Sequence, residues 1–222
     1  MSDVARTSVD VYLELGKKRV FACACEWPGW CRSAKSEQMA LEHLDAYRGR
    51  YGAVAAQAAV PFMSAGVEFN VVERVAGSAT TDFGAPDSIP SWDLQPVSRS
   101  EAERLGALVK ASWTIFDGIV ARAPSELRKG PRGGGRDRDK IVDHVLAAEA
   151  RYARKMGVRH REPRRDDIQA IAALRRDIME VLTAAWDGTP LVPNGWPPRC
   201  AGRRIAWHVL DHLWEIEDRS RD

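Results

Sequence analysis

No stretch of this 222-residue chain stays apolar over the length that a membrane span needs. The opening run MSDVARTSVDVYLELGKKRV also lacks the hydrophobic core of a signal peptide. The chain is therefore expected in the cytoplasm, without a membrane partner. An excess of one charge is missing too, because 33 Lys and Arg nearly cancel 31 Asp and Glu to leave +2. That removes the electrostatic case for a nucleic-acid partner. One segment, RKGPRGGGRDRDK (Arg128 to Lys140), is locally basic and glycine-rich. It follows no strand and lacks the GK[ST] ending of a phosphate loop, so it reads as a solvated connection.

Cysteine is scarce, four in all, which is too few for a disulfide scaffold at this size. Cys23, Cys25 and Cys31 in CACEWPGWC fit no common zinc spacing. Cys23 and Cys25 share one face of a strand-like run and read as small buried hydrophobes. The zinc-protease motif HExxH is absent as well, since Val209 stands where its glutamate would be.

What the chain does contain is 45% hydrophobic and 29% charged residues, ordinary for a globular protein and enough for two domains. Its two halves follow different periods. Residues 9 to 26 alternate with period two around GKK, with Val9, Val11, Leu13 and Leu15 on one face, which predicts a hairpin with one covered side. A helix follows with Ser36 as N-cap and Met39, Leu41, Leu44, Tyr47 and Tyr51 as apolar positions. VEFNVVERV supplies a third strand, so residues 1–75 are expected to form an α+β module of ββαβ order. Residues 76–99 are rich in Gly, Pro, Ser and Asp without a period and read as a linker.

From residue 100 to 222 the periodicity is helical throughout, and an all-α four-helix bundle is expected. The first helix runs from Glu101 to about Arg122, with Leu105, Leu108, Val109, Phe116, Ile119 and Val120 inward. The second spans Asp139 to Lys155. The third covers Asp166 to Trp186, with Ile168, Ile171, Leu174, Ile178, Val181, Leu182 and Ala185 inward. DGTPLVPNGWPPRCAG breaks the chain before a fourth helix from Arg203 to about Asp218.

That last helix carries His208 and His212, four residues apart, with Glu215 beyond them. At about 100° per residue the two imidazoles lie about 40° apart, along the margin of the stripe Ile205, Val209, Leu213 and Ile216. His144 occupies a similar margin on the second helix. Two readings stay open on pattern alone: hydrogen-bonded structural histidines, or three ligands of a metal whose fourth position is open. His43 and His160 have no companion ligand and are assigned to the surface. Glu149 falls inside the second helix's apolar stripe and needs a partner, for which Arg203, Arg204 or a histidine is expected.

The order of His144 within IVDHVLAAEARY, followed by HxxxH in a last helix, resembles the DinB/YfiT-like metalloenzyme superfamily over residues 100 to 222. The resemblance implies that His144, His208 and His212 hold a divalent transition metal, zinc or nickel. It further implies a small-molecule substrate and, in some members, transfer of a low-molecular-weight thiol. The chain's high Arg and Ala usage makes mycothiol the first thiol to consider. Many members continue HRGQ after the second ligand, where this chain reads HLWEIEDR. Glu215 is thus this chain's own candidate catalytic residue, for proton handling or for support of a ligand. PNGWPPRC would place Trp196 and Cys200 at a rim or lid. Bundles of this kind often pair, so a homodimer is the assembly to look for. VFACACEWPGWCRSAKSEQMALEHLDAY is similar to the HicB-like module, which implies a fold relationship and no antitoxin role. The alternative function is a non-enzymatic interaction or regulatory protein that keeps its histidines for structure.

Overall fold

The structure is a computed structural model that describes residues 7–63, 66–130 and 134–220. It is mixed α/β, with a four-stranded sheet first and mostly helices after it. The chain divides into two compact units, Met1–Gln95 and Pro96–Asp222. Among the described residues no helix is long and apolar enough to cross a membrane.

In the first unit β1 (Thr7–Leu15), β2 (Val20–Ala24), β3 (Cys31–Ala34) and β4 (Val67–Ala76) form one sheet in the order β3-β2-β1-β4. Strand β2 pairs antiparallel with β1 and with β3, and β4 lies parallel to β1 with a register shift between Val11 and Tyr12. Helices α1 (Glu37–Ala46) and α2 (Arg48–Gln57) make the crossover that a parallel partner requires. Ser36 caps α1 as expected, accepting the Met39 N–H at 3.3 Å. The single helix expected here breaks at Tyr47, whose backbone (φ −90, ψ 0) turns between the two. The inward face of α1 is Ala40 and Leu44, whereas Met39 is exposed. The order is thus βββααβ, with β3 a short strand additional to the expected ββαβ.

Both sides of the hairpin are covered, not one. Val9, Val11 and Leu13 are buried on one face, and Tyr12 and Glu14 on the other. The Glu14 carboxylate accepts the Thr81 hydroxyl, the Asp87 N–H at 2.9 Å and the Ser88 N–H at 3.0 Å. Those donors all come from the segment expected as a linker. That segment instead carries α3 (Ala79–Phe83) and a 3-10 turn (Ser91–Leu94), and residues up to Gln95 belong to the first unit. A buried carboxylate demands donors, so this apparently shapeless stretch is folded around one. The WPGW turn is fixed similarly: Trp30 Nε1 donates to Leu44 O at 2.8 Å and the Tyr51 hydroxyl to Pro28 O at 2.9 Å. All four cysteines are free and buried, with Cys23 and Cys31 in register across β2 and β3.

The second unit contains α4 (Arg99–Arg122), α5 (Arg138–Arg154), α6 (Ile168–Leu182) and α7 (Pro198–Ser220). Helix α7 packs on the other three, and α6 also packs on α4 and α5. A capping box starts α4: Ser98 accepts the Glu101 N–H at 3.3 Å and Glu101 accepts the Ser98 N–H at 2.8 Å. Close approach is built in at Gly202, where a Cβ would lie 2.7 Å from Leu105 Cδ1 across the α4/α7 contact.

Two helix ends differ from expectation. Helix α6 stops at Leu182, and Trp186 pairs with Val97 through two backbone hydrogen bonds of 2.8 Å. Its first expected inward residue, Ile168, is 77% exposed; the buried positions are Leu174, Ile178 and Leu182. Helix α7 starts at Pro198 instead of Arg203, because a first-turn proline has no N–H to lose.

Candidate metal centre

Helix α5 owes its position to alanine. Ala147, Ala148, Ala150 and Ala153 are buried, which lets neighbouring helices come close, and Arg151 and Arg154 in its last turn suit the negative end of the helix dipole. Helix α7 is covered on all its faces over much of its length, since every residue from Cys200 to Leu210 is buried. His208 therefore lies in the interior, 7% exposed, and not at the margin that the apolar stripe suggested. The stripe describes which face is most apolar; here α4, α5 and α6 leave little of the other faces to solvent. His144 and His212 are half-buried.

The fold brings the three together. One ligand-capable nitrogen from each of His144, His208 and His212 lies within 4.8 Å of the others. His208 Nε2 and His144 Nε2 are 3.1 Å apart. Ring centroids are separated by 4.9 Å for His144 and His208, 4.9 Å for His144 and His212, and 4.7 Å for His208 and His212. A tetrahedral ion with nitrogens at about 2.0–2.1 Å separates its ligands by about 3.3 Å. The His144–His208 pair is already near that spacing.

Electrostatics keep the donors available. Burial, then His212, Arg136 and Arg151, push His144 down to about 4, with Glu215 opposing. Burial, followed by His212 and His144 and then Arg204, pushes His208 well below the ordinary histidine range. Both rings are thus neutral at pH 7, with a lone pair free to bind. His208 Nε2 faces the cluster, and its Nδ1 is buried without a hydrogen-bond partner among the described residues. The all-imidazole donor set fits a divalent transition metal.

Glu215 does not face the cluster as a free carboxylate. Its Oε2 is 2.8 Å from His212 Nδ1 and its Oε1 takes an N–H of Arg219 at 2.7 Å. Burial raises its pKa, but the His212 hydrogen bond and Arg219 outweigh this and hold it below the usual carboxylate range. With Nδ1–H donated to Glu215, His212 presents Nε2, the arrangement that orients a metal-binding histidine. Arg219 was missed in the sequence, although its spacing of four from Glu215 is a recognisable helix pair.

The other candidates scatter. Glu149 is 1% exposed, as its place in the stripe predicted, but its partner is neither Arg203, Arg204 nor a histidine. Arg175 of α6 donates to it at 3.2 and 3.4 Å and to Asp117 of α4 at 2.7 Å. Trp196 lies against Tyr152 with ring centroids 5.3 Å apart, and Tyr152 is 5.8 Å from His208. Cys200 is buried in the first turn of α7 and forms no rim. His43 is exposed on α1, and His160 bonds Asp177 at 2.7 Å. Compared with family models, with curated proteins and with solved structures, the chain gives no match.

Proposed function

We propose that the second unit is a DinB/YfiT-like four-helix enzyme that holds zinc or nickel on His144, His208 and His212. Its reaction is transfer of a low-molecular-weight thiol, mycothiol being the first to try, or hydrolysis, on a small molecule. The observation that carries this reading is the convergence of three nitrogens from two helices within 4.8 Å, one of them buried and two half-buried. His144, His208 and His212 would hold such an ion without cancelling its charge, and the chemistry it would supply is ionisation of a bound water or thiol near neutral pH. His144 and His208 stay neutral because burial disfavours their charged forms. Glu215, with both oxygens engaged, acts through His212: it fixes the tautomer and the bearing of that ring. The first unit, in which the WPGW turn joins β2 to β3 ahead of a helix pair, is proposed to be related in fold to the HicB-like module.

Elemental analysis of untagged protein tests the reading, beside a His144→Ala, His208→Ala, His212→Ala variant. About one equivalent of metal is expected in the first and none in the second. No metal in either, and no uptake on titration with zinc or nickel, would return the histidines to structure and favour a non-enzymatic interaction protein.

A further inference from the structure

Arg204 stands one turn before His208 on α7, and residues four apart share a helix face. It is 5% exposed. Its Nη2 donates to the Tyr152 hydroxyl at 3.3 Å, while Nε and Nη1 are buried without a hydrogen-bond partner among the described residues. Among the described residues no carboxylate pairs with it. Instead three rings surround the guanidinium, Trp207 at 5.2 Å, Tyr152 at 5.3 Å and Trp196 at 5.9 Å.

Arginine cannot shed its charge inside a protein. Ring faces attract a cation, but they do not satisfy its N–H donors, and a buried charge with unsatisfied donors is costly. Elsewhere the same unit meets this demand directly: Arg175, also largely buried, has both Glu149 and Asp117. Arg204 alone of the two lacks an internal counter-charge, and it is the one beside the histidine cluster. Its cover is slight on one side. Tyr152 and Trp196 are each half-exposed, so these rings separate Arg204 and His208 from solvent.

We infer that Arg204 recognises a carboxylate of the substrate, entering past Tyr152 and Trp196, so that the small molecule treated at this centre is an anion. The substrate class rests on the metal-centre reading above; the anion site itself does not. A carboxylate supplies both the missing charge and acceptors for Nε and Nη1.

The test is a titration of metal-free and zinc-treated protein with succinate and, at matched ionic strength, with succinamide. Tryptophan fluorescence and thermal midpoint are the readouts, with metal content measured on the same samples. A saturable response to succinate and none to succinamide is expected in both forms. Arg204→Gln should raise the dissociation constant at least tenfold with metal content unchanged, and Arg204→Lys should lose less. Carboxylate binding that depends on Arg204 in protein that takes up no zinc on treatment would keep the anion site while removing the metal reading. No saturable response, an equal response to succinamide, or one unaffected by Arg204→Gln overturns the proposal. Where Arg204→Gln does not fold, the comparison of succinate with succinamide on the wild-type protein decides.

Discussion

Replacing Arg175 by methionine keeps most of the side-chain volume and removes one guanidinium that joins three helices. Asp117 loses a partner but is well exposed, so its share of the cost is small. Glu149 is different: at 1% exposure it would be left in the interior without its cationic partner. Breaking a buried pair by deleting one member costs about 3–5 kcal/mol. The guanidinium also sits 5.1 Å from the Trp113 ring, a contact worth about 0.5–1 kcal/mol. The expected total is about 4 kcal/mol, or roughly 10–20 °C in thermal midpoint.

The loss should depend on pH in a definite direction. Burial raises the Glu149 pKa and Arg175 pulls against that rise, so removing Arg175 raises it further. A carboxyl whose folded pKa lies above its unfolded one stabilises the fold below the ordinary carboxylate range. That contribution is lost as pH rises through the folded pKa. The variant's deficit, measured by urea unfolding, should therefore be larger at pH 8 than at pH 5. Glu149→Gln added to the variant should recover more than half of it. A deficit below about 1 kcal/mol, one independent of pH, or no recovery in the double variant would refute this reasoning.

Glu215→Gln should weaken metal binding by about 10–100-fold in a chelator competition, because it loosens the ring of His212; unaltered affinity would remove Glu215 from the centre. Since His144 is pushed down to about 4 and His208 is also lowered, their neutral forms stabilise the metal-free fold above the unfolded value of 6.5. That stability should be lost as pH falls from 6.5 toward 4; melts at pH 7.5 and 5 that coincide would contradict it. Glu14→Ala strands a hydroxyl and two backbone N–H groups, a loss of about 3 kcal/mol in urea unfolding. Amides of residues 77–95 should then exchange faster, and unchanged exchange would mean that Glu14 does not organise them.

The sequence displayed the features that depend on local repetition. Period-two alternation located β1, and the spacing of leucines located α4 to α7. The three histidines were visible as a set because two share a helix face and the third occupies a like position on another helix. What stayed hidden were relations between distant segments. Glu14 read as solvent-facing because its donors, Thr81, Asp87 and Ser88, lie in the supposed linker. The four residues of β3 are too short to show a period. Arg175 could not be matched to Glu149, since nothing in α6 alone shows that its arginine meets α5. The start of α7 was legible in principle: Pro198 has the residue type favoured in a first helical turn.

Arg219 has a second grip besides Glu215. It donates to Arg128 O at 2.8 Å and to Arg136 O at 2.7 Å, while its own carbonyl takes the Arg128 N–H at 3.0 Å. Gly135, at φ 117, clears the way, since a Cβ there would lie 2.8 Å from Arg219 Nη2. Both ends of the glycine-rich connection are thereby clasped to the helix that carries His208 and His212. Such a clasp makes the connection a lever on the centre: a change at Arg128 or Arg136 is transmitted through Arg219 and Glu215 to the ring of His212.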